Sequence, residues 1–428
     1  MRVPGIADLR RLISGNRDNL LRLGLTMAAA VLSRAGQLAL VVVVARKLGP
    51  TDFGVFIFAI GASVISGMIG AMGWPTSFNR FFSLARRSDD PGLLRGVMTA
   101  SRGVVVTGSV VTALILLGAS RYTDELEHGM IAGAFLTVPL ALTLLRRQQL
   151  AGVGQSPFAL LLDQGFASLA LFGLLLVIDL TLYEMLAVYA AALIAGNFIA
   201  GRIVDARLPE GWKCHAPTYQ LADWMKSSLS LLVGQAARLL LTRFDVILLP
   251  ALAGLAQAGL YGAGLRVTYV LSFPQFILQT ITGPLFAEAY AARDFGRARK
   301  LLLLSMVFAF ATTLPMMAII LVVPEWIMVT LFGEGFRDGA LPLVLTSLGT
   351  FAFSLGMPFG TILAMAGREK AFGILNLAVL ALSLALAFAL MPGMGATGAG
   401  YVTLASGLVL LFGQIGLSLR VLREPGAR

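Results

Sequence analysis

The chain has 428 residues, 57% of them hydrophobic and only 13% charged, with a mean hydropathy of +0.85. So little polar surface cannot cover a soluble protein of this size, and the composition describes an integral membrane protein. The net charge of +11 comes from 33 Lys and Arg against 22 Asp and Glu, an excess that in a membrane chain marks loop orientation and anionic lipid headgroups, so nucleic acid is not an expected partner.

The residue inventory narrows the chemistry further. One cysteine, Cys214, excludes an intrachain disulfide, and with His128 and His215 as the two histidines no zinc-type spacing can be drawn. No phosphate loop, nucleotide-binding pattern or catalytic triad is present. The reading is therefore no metal, no cofactor and no catalytic residue.

Over residues 1–18, Ile6, Leu9 and Ile13 share a helical face beside Arg10, Arg11 and Arg17. A short helix in the membrane interface and a disordered basic tail fit this pattern equally well. The first apolar run, 20–44, is longer than a signal-peptide core and lacks a small-residue cleavage site, so it is read as an uncleaved span.

That run ends in ARKLGPTDFGVF, residues 45–56, where Gly49-Pro50 stops one helix and Asp52 suits the N-terminus of the next. The pattern returns in ALAGLAQAGLYGAGLR, residues 251–266, with Gly254, Gly259 and Tyr261 each 205 positions after Gly49, Gly54 and Phe56. A weaker pair, Leu150–Gly154 and Leu363–Gly367, recurs at offset 213. Self-similarity at so long a period predicts one unit built twice. The second copy has Leu255 and Gln257 where the first has Pro50 and Asp52.

Apolar runs of about twenty residues predict spans near 20–44, 53–78, 97–119, 127–150, 158–178, 182–204, 228–250, 259–285, 301–323, 340–365, 371–391 and 396–420. The expectation is an all-α membrane protein with twelve helices in two six-helix bundles, 19–205 and 228–420. Residues 206–227 form a cytoplasmic linker and 421–428 a cytoplasmic tail. Because each half has an even number of spans, the pseudo-twofold axis runs along the membrane normal.

Charge supports this threading. One set of loops holds nearly all the loop cations, among them Arg80, Arg86, Arg87, Arg95, Arg146, Arg147, Lys213 and Arg297; the opposite set holds Arg46, Lys47, Arg121 and Arg337. By the positive-inside rule both termini are cytoplasmic, and the hairpins at 46–52 and 251–258 face outward.

Together, ARKLGPTDFGVF, the following GAMGWPTSFNRFF at 70–82, and AGLYGAGLRV at 258–267 downstream of Asp245 resemble the signatures of bacterial Wzx-type oligosaccharide flippases. These form the polysaccharide-transport branch of the superfamily that also holds the MATE drug exporters. The resemblance spans nearly the whole chain. It implies translocation of a polyprenyl-diphosphate-linked oligosaccharide across the bacterial inner membrane by alternating access, for cell-surface polysaccharide biosynthesis. It also implies contact with membrane lipids and, as candidate partners, a glycan polymerase or export machinery. Arg80 aligns with a basic position after the family's glycine-rich turn, a candidate cytoplasmic entrance.

The membrane-embedded residues suit such a cargo in sign. Ionisable groups at membrane depth are costly and face a cavity or a partner. Here they are Arg34, Arg238, Arg243 and Arg266 against Asp163 and Asp245. Gln37, Gln235, Gln275 and Gln279 lie in polar stripes at helical spacing on the same helices. The functional reading has the arginines and glutamines lining a cavity that binds diphosphate and sugar hydroxyls, with Asp163 and Asp245 as ion-coupling candidates. The structural reading has the same groups pairing with one another or joining helices.

Two other functions fit the residues less well. A MATE-like ion-coupled exporter of organic cations would place carboxylates where this chain places arginines. A membrane glycan ligase or polymerase would carry long outer loops with catalytic acids or histidines, and the outer connections here are short.

Overall fold

Helix α1, Arg17–Gly70, bends at Gly49, whose φ of 73° and ψ of 177° interrupt an otherwise continuous 54-residue helix. The computed structural model describes the backbone of residues 17–292, 294–365 and 368–423. Side chains are described over the same ranges except 17–23, 164, 233–243, 420–423 and scattered positions between 273 and 293 and between 364 and 370. The weak-repeat residue Gly367 and most of the expected segment 1–18 lie outside the described residues, whereas Gly154 has a φ of 78°.

The regular elements among the described residues are all helices, with no strand. After α1 come α2 (Trp74–Arg87), α3 (Pro91–Ser120), α4 (Glu127–Gly152), α5 (Ser156–Leu160), a π-turn (Leu161–Gly165), α6 (Phe166–Leu175) and α7 (Leu182–Asp205). Then follow α8 (Leu221–Ala253), α9 (Leu255–Ala291), α10 (Phe295–Val322), α11 (Pro324–Phe332), a 3₁₀ turn (Glu334–Gly339), α12 (Ala340–Met365) and α13 (Glu369–Arg423).

Among the described residues, seven helices are long and apolar enough to cross a membrane, or eight if the α5–α6 pair, bent by 47°, is one span. Two of the seven, in α1 and α13, are of double length and broken at Gly49 and Gly395. With α8 and α9, of 33 and 37 residues, the described helices make the twelve spans of the two-bundle layout.

One boundary differs from the sequence reading. The apolar run predicts a second span to residue 78, but the chain leaves helix after Gly70 through Met72 and Gly73, at φ 49° and 75°, and α2 starts anew with Pro75 in its first turn. Helix α2 is amphipathic: it buries Trp74, Phe78, Phe81, Phe82 and Ala85 and ends in Arg86 and Arg87. Those aromatic rings account for the apolar run that read as membrane span.

The chain divides into two compact units. Unit 1 gathers residues up to Leu40, Ala62–Arg121 and Met130–Ala236; unit 2 gathers Val41–Gly61, Tyr122–Gly129 and the residues from Ala237 on.

In unit 1, the apolar face of α2 packs with α3, α4 and the start of α8; Trp74 meets Trp224 edge-on at 5.9 Å and Phe81 at 5.7 Å. Burying rings of this size contributes about 1.5–3 kcal/mol each relative to exposure to water. The Asp90 carboxylate caps α3 by accepting from the amides of Gly92 and Leu93 at 2.8 and 3.0 Å. The segment between α7 and α8 is held in place: Trp212 is buried, the Thr218 amide donates to Gly92 O at 3.0 Å, and Arg95 Nη1 donates to His215 O at 2.6 Å.

In unit 2, the two repeated hairpins come together. Gly254 has a φ of 87°, matching Gly49 205 positions earlier, so both copies turn through a backbone conformation that a side chain would strain. Phe53 packs edge-on against Phe336 at 5.8 Å. Arg46 donates through Nε to Leu331 O at 2.8 Å and through Nη2 to Thr330 O, closing the C-terminal end of α11. At the equivalent positions 52 and 257 the two hairpins diverge: Asp52 is exposed, whereas Gln257 Oε1 accepts from the Ala396 amide at 2.9 Å, beside the break at Gly395.

Candidate functional site

The predicted site residues with described side chains fall into two groups, one in each unit, with Arg80 apart from both. In unit 1, Ser33, Arg34 and Gln37 lie within one turn of α1. Arg34 Nη1 donates to Gln37 Oε1 at 3.4 Å, and Gln37 Nε2 to Ser33 Oγ at 3.3 Å. Opposite stands the π-turn of Leu161–Gly165, where Asp163 leaves helical geometry at ψ −120°. The two elements touch closely enough that a Cβ on Gly165 would stand 2.3 Å from Ser33 Oγ.

This contact brings Asp163 within electrostatic reach of Arg34, while Arg147 Nη1 reaches Asp163 Oδ2 at 3.2 Å. One carboxylate thus pairs with Arg147 and has a second guanidinium, that of Arg34, within electrostatic reach, leaving a net positive site on a widened helical turn, a distortion that recurs where helices carry function. Arg34 is exposed, and the Arg147 and Asp163 side chains are 42% and 20% exposed. Both cations are therefore open to a further anion. Sequence reasoning assigned Arg147 to loop orientation only and missed its pairing with Asp163. Nothing in Leu-Leu-Asp-Gln-Gly announces a π-turn.

In unit 2, Asp245 on α8 is buried and receives a hydrogen bond from Tyr261 Oη on α9 at 2.5 Å. Its other oxygen, Oδ1, accepts from the Val246 amide at 2.8 Å, and Thr403 Oγ1 on α13 stands 3.0 Å from Tyr261 Oη. Tyr261 belongs to the second hairpin motif, so the motif's aromatic residue holds the carboxylate just upstream of it. Arg266 lies over the Tyr269 ring at 5.7 Å, and buried Gln275 reaches Thr312 Oγ1 at 3.5 Å. The side chains of Gln235, Arg238, Arg243 and Gln279 lie outside the described residues, although their backbone is helical in α8 and α9.

Arg80 is exposed on α2, with Nη1 3.5 Å from Ser227 Oγ. Among the described residues, no three His, Cys, Asp or Glu side chains gather as metal ligands would. Chemically, the unit 1 constellation suits an oxyanion and the unit 2 constellation a buried carboxylate that exchanges a proton or small cation.

Residues 23–290 match the family described as "Polysaccharide biosynthesis protein". Among solved structures, the chain is similar to an inward-facing multidrug resistance MATE family transporter of the MOP superfamily, with a TM-score of 0.74 at 14% identity over 95% of this chain and 99% of that one. It is also similar to the lipid II flippase MurJ in an inward closed conformation, with a TM-score of 0.69 at 12% identity over 92% of this chain and 87% of that one. At these identities the likeness is one of fold. No match is found among curated proteins.

Proposed function

Because the chain belongs to the polysaccharide biosynthesis protein family, we propose that it is a flippase carrying a polyprenyl-diphosphate-linked oligosaccharide from the cytoplasmic to the outer leaflet of the bacterial inner membrane. The observation that carries this reading is the sign of the embedded charge: in unit 1 two guanidiniums, Arg147 paired with Asp163 and Arg34 within its electrostatic reach, stand against one carboxylate, which favours an anionic cargo over an organic cation. Arg34, Arg238, Arg243 and Arg266 supply charge-assisted hydrogen bonds to the diphosphate, and the glutamine stripes meet the sugar hydroxyls. Asp163 and Asp245 are the carboxylates through which an ion gradient would couple to movement. Transport proceeds by alternating access, with both termini and the linker in the cytoplasm and Arg80 at the cytoplasmic entrance.

The MATE-like fold supports a second reading, export of small organic molecules coupled to an ion. Purified protein in vesicles distinguishes the two. Leaflet-resolved movement of a lipid-linked oligosaccharide is the expected result; no such movement together with uptake of organic cations would establish the exporter instead.

A further inference from the structure

We propose that unit 1 holds a second anion site, apart from Arg34, in which Arg102, Arg146 and Lys213 gather around Asp205 to take a phosphate-class anion. The source is either inorganic phosphate or the phosphate of an anionic lipid headgroup.

The starting point is Asp205, the last residue of α7. Its Oδ1 accepts from Arg102 Nη2 at 3.0 Å and its Oδ2 from Lys213 Nζ at 2.7 Å. Arg146, on α4, lies within electrostatic reach of both Arg102 and Asp205 and packs so tightly on α7 that a Cβ at Gly201 would stand 2.9 Å from its Nη2. Three cations thus converge on one carboxylate, and each oxygen of that carboxylate already accepts a hydrogen bond.

The donors outnumber the acceptors as well. Arg146 Nη1 donates to Gln149 Oε1 at 2.8 Å. The Nε atoms of Arg102 and Arg146 and the Nε2 of buried Gln149 are themselves buried and have no acceptor among the described residues. Removing guanidinium donors from water without an acceptor is unfavourable, and a surplus of like charge adds to that cost. A tetrahedral oxyanion corrects both faults, because it brings negative charge and several acceptor oxygens suited to the planar arginine fork.

The cluster is also held in shape and reachable. Lys213 lies over the Trp212 ring at 5.3 Å, and that ring is buried, so the ordered linker fixes the lysine. The Arg102 and Lys213 side chains are 29% and 59% exposed, which leaves a way in. A purely structural clamp between α3, α7 and the segment after it would need only Asp205 with Arg102 and Lys213. The additional arginine and the orphaned donors call for an anion.

The test uses the full-length protein, in detergent with inorganic phosphate titrated against chloride at equal ionic strength, and in nanodiscs of phosphatidylcholine with or without phosphatidylglycerol. A saturable rise in melting temperature with phosphate identifies the free ion, and a rise confined to phosphatidylglycerol identifies the headgroup. In either case Arg102→Gln and Lys213→Gln each weaken the effect about tenfold or more, while Arg121→Gln, at an exposed position, leaves it unchanged. Lys213→Gln keeps the test valid if substitution of the arginines prevents folding, since most of that side chain is exposed. The proposal is overturned if neither phosphate nor phosphatidylglycerol acts beyond the chloride control. It is equally overturned if the effect survives in both variants, or disappears in Arg34→Ala while persisting in Arg102→Gln.

Discussion

Gly54 and Gly259 occupy reciprocal positions in the two repeated hairpins of unit 2: a Cβ on Gly54 would stand 1.9 Å from Leu255 O, and one on Gly259 would stand 1.9 Å from Pro50 O. Each obstacle is backbone, which cannot rotate aside as a side chain can. The shared offset in the sequence therefore records a crossing in which each hairpin leaves room for the other. Gly54→Ala and Gly259→Ala are each expected to lower stability by about 1–3 kcal/mol through overpacking. Gly103→Ala, where nothing lies within 4 Å of the added atom, should be neutral or stabilising. Melting curves of purified protein check the contrast, and equal behaviour of all three variants would remove the crossing as a packing constraint.

Arg34 and Arg238 are the proposed diphosphate ligands. Replacing either with alanine is expected to reduce flipping about ten- to a hundredfold, the worth of a desolvated charge-assisted hydrogen bond. Lysine should rescue partly, because it brings charge without the planar fork. The choice of control matters. Arg46 lies on the opposite side of the threading from most cations, yet it closes the end of α11 through Leu331 O and Thr330 O, so Arg46→Ala should cost about 0.3–1 kcal/mol of stability. Exposed Arg121 is the neutral control. Full flipping by both Arg34→Ala and Arg238→Ala would exclude these residues from the site.

What could be read beforehand follows from how local each signal is. The breaks at Gly49 and Gly254 are written in the residues that make them, since glycine suits the positive φ that each turn adopts. The spans are legible because apolar length is a local property. Helix α2 was concealed because Trp74, Phe78, Phe81 and Phe82 are as apolar as a span, and the kink before them depends on Met72 as well as Gly73. Arg102, Arg146 and Arg147 carried no mark of their partners: Asp205 is 103 positions from Arg102, and Asp163 reaches Arg147 only through a π-turn within an ordinary helical sequence. Charge spacing along the chain predicts orientation in the membrane. It does not report which charges the fold brings together.

The proposed orientation can be read from the protein's own thiol, because Cys214 is free, exposed and in the linker. A membrane-impermeant maleimide should leave it unlabelled in intact cells and label it after permeabilisation. In a Cys214→Ser background, a cysteine replacing exposed Thr51 should show the opposite pattern. The positive-inside asymmetry motivates both expectations. Labelling of Cys214 from outside alone would invert the threading, and with it the assignment of Arg80 to a cytoplasmic entrance.

The buried Asp245 separates a coupling role from a structural one. Its Oδ2 accepts from Tyr261 Oη at 2.5 Å, and Tyr261 in turn lies 3.0 Å from Thr403 Oγ1, so α8, α9 and α13 meet at one carboxylate. Tyr261→Phe removes a donor from that buried acid while keeping the ring, and should cost about 1–3 kcal/mol, the penalty for a buried polar group that loses its partner. Asp245→Asn can retain the hydrogen bond from Tyr261 but cannot ionise. If Asp245 couples an ion to transport, the asparagine variant should fold and bind cargo yet lose the acceleration of flipping by a proton or sodium gradient. Tyr261→Phe should keep some gradient dependence at reduced stability. Flipping measured with and without each gradient, beside melting curves, separates the two roles. An asparagine variant as gradient-dependent as the parent would leave Asp245 a structural fastener and make Asp163 the carboxylate to test next.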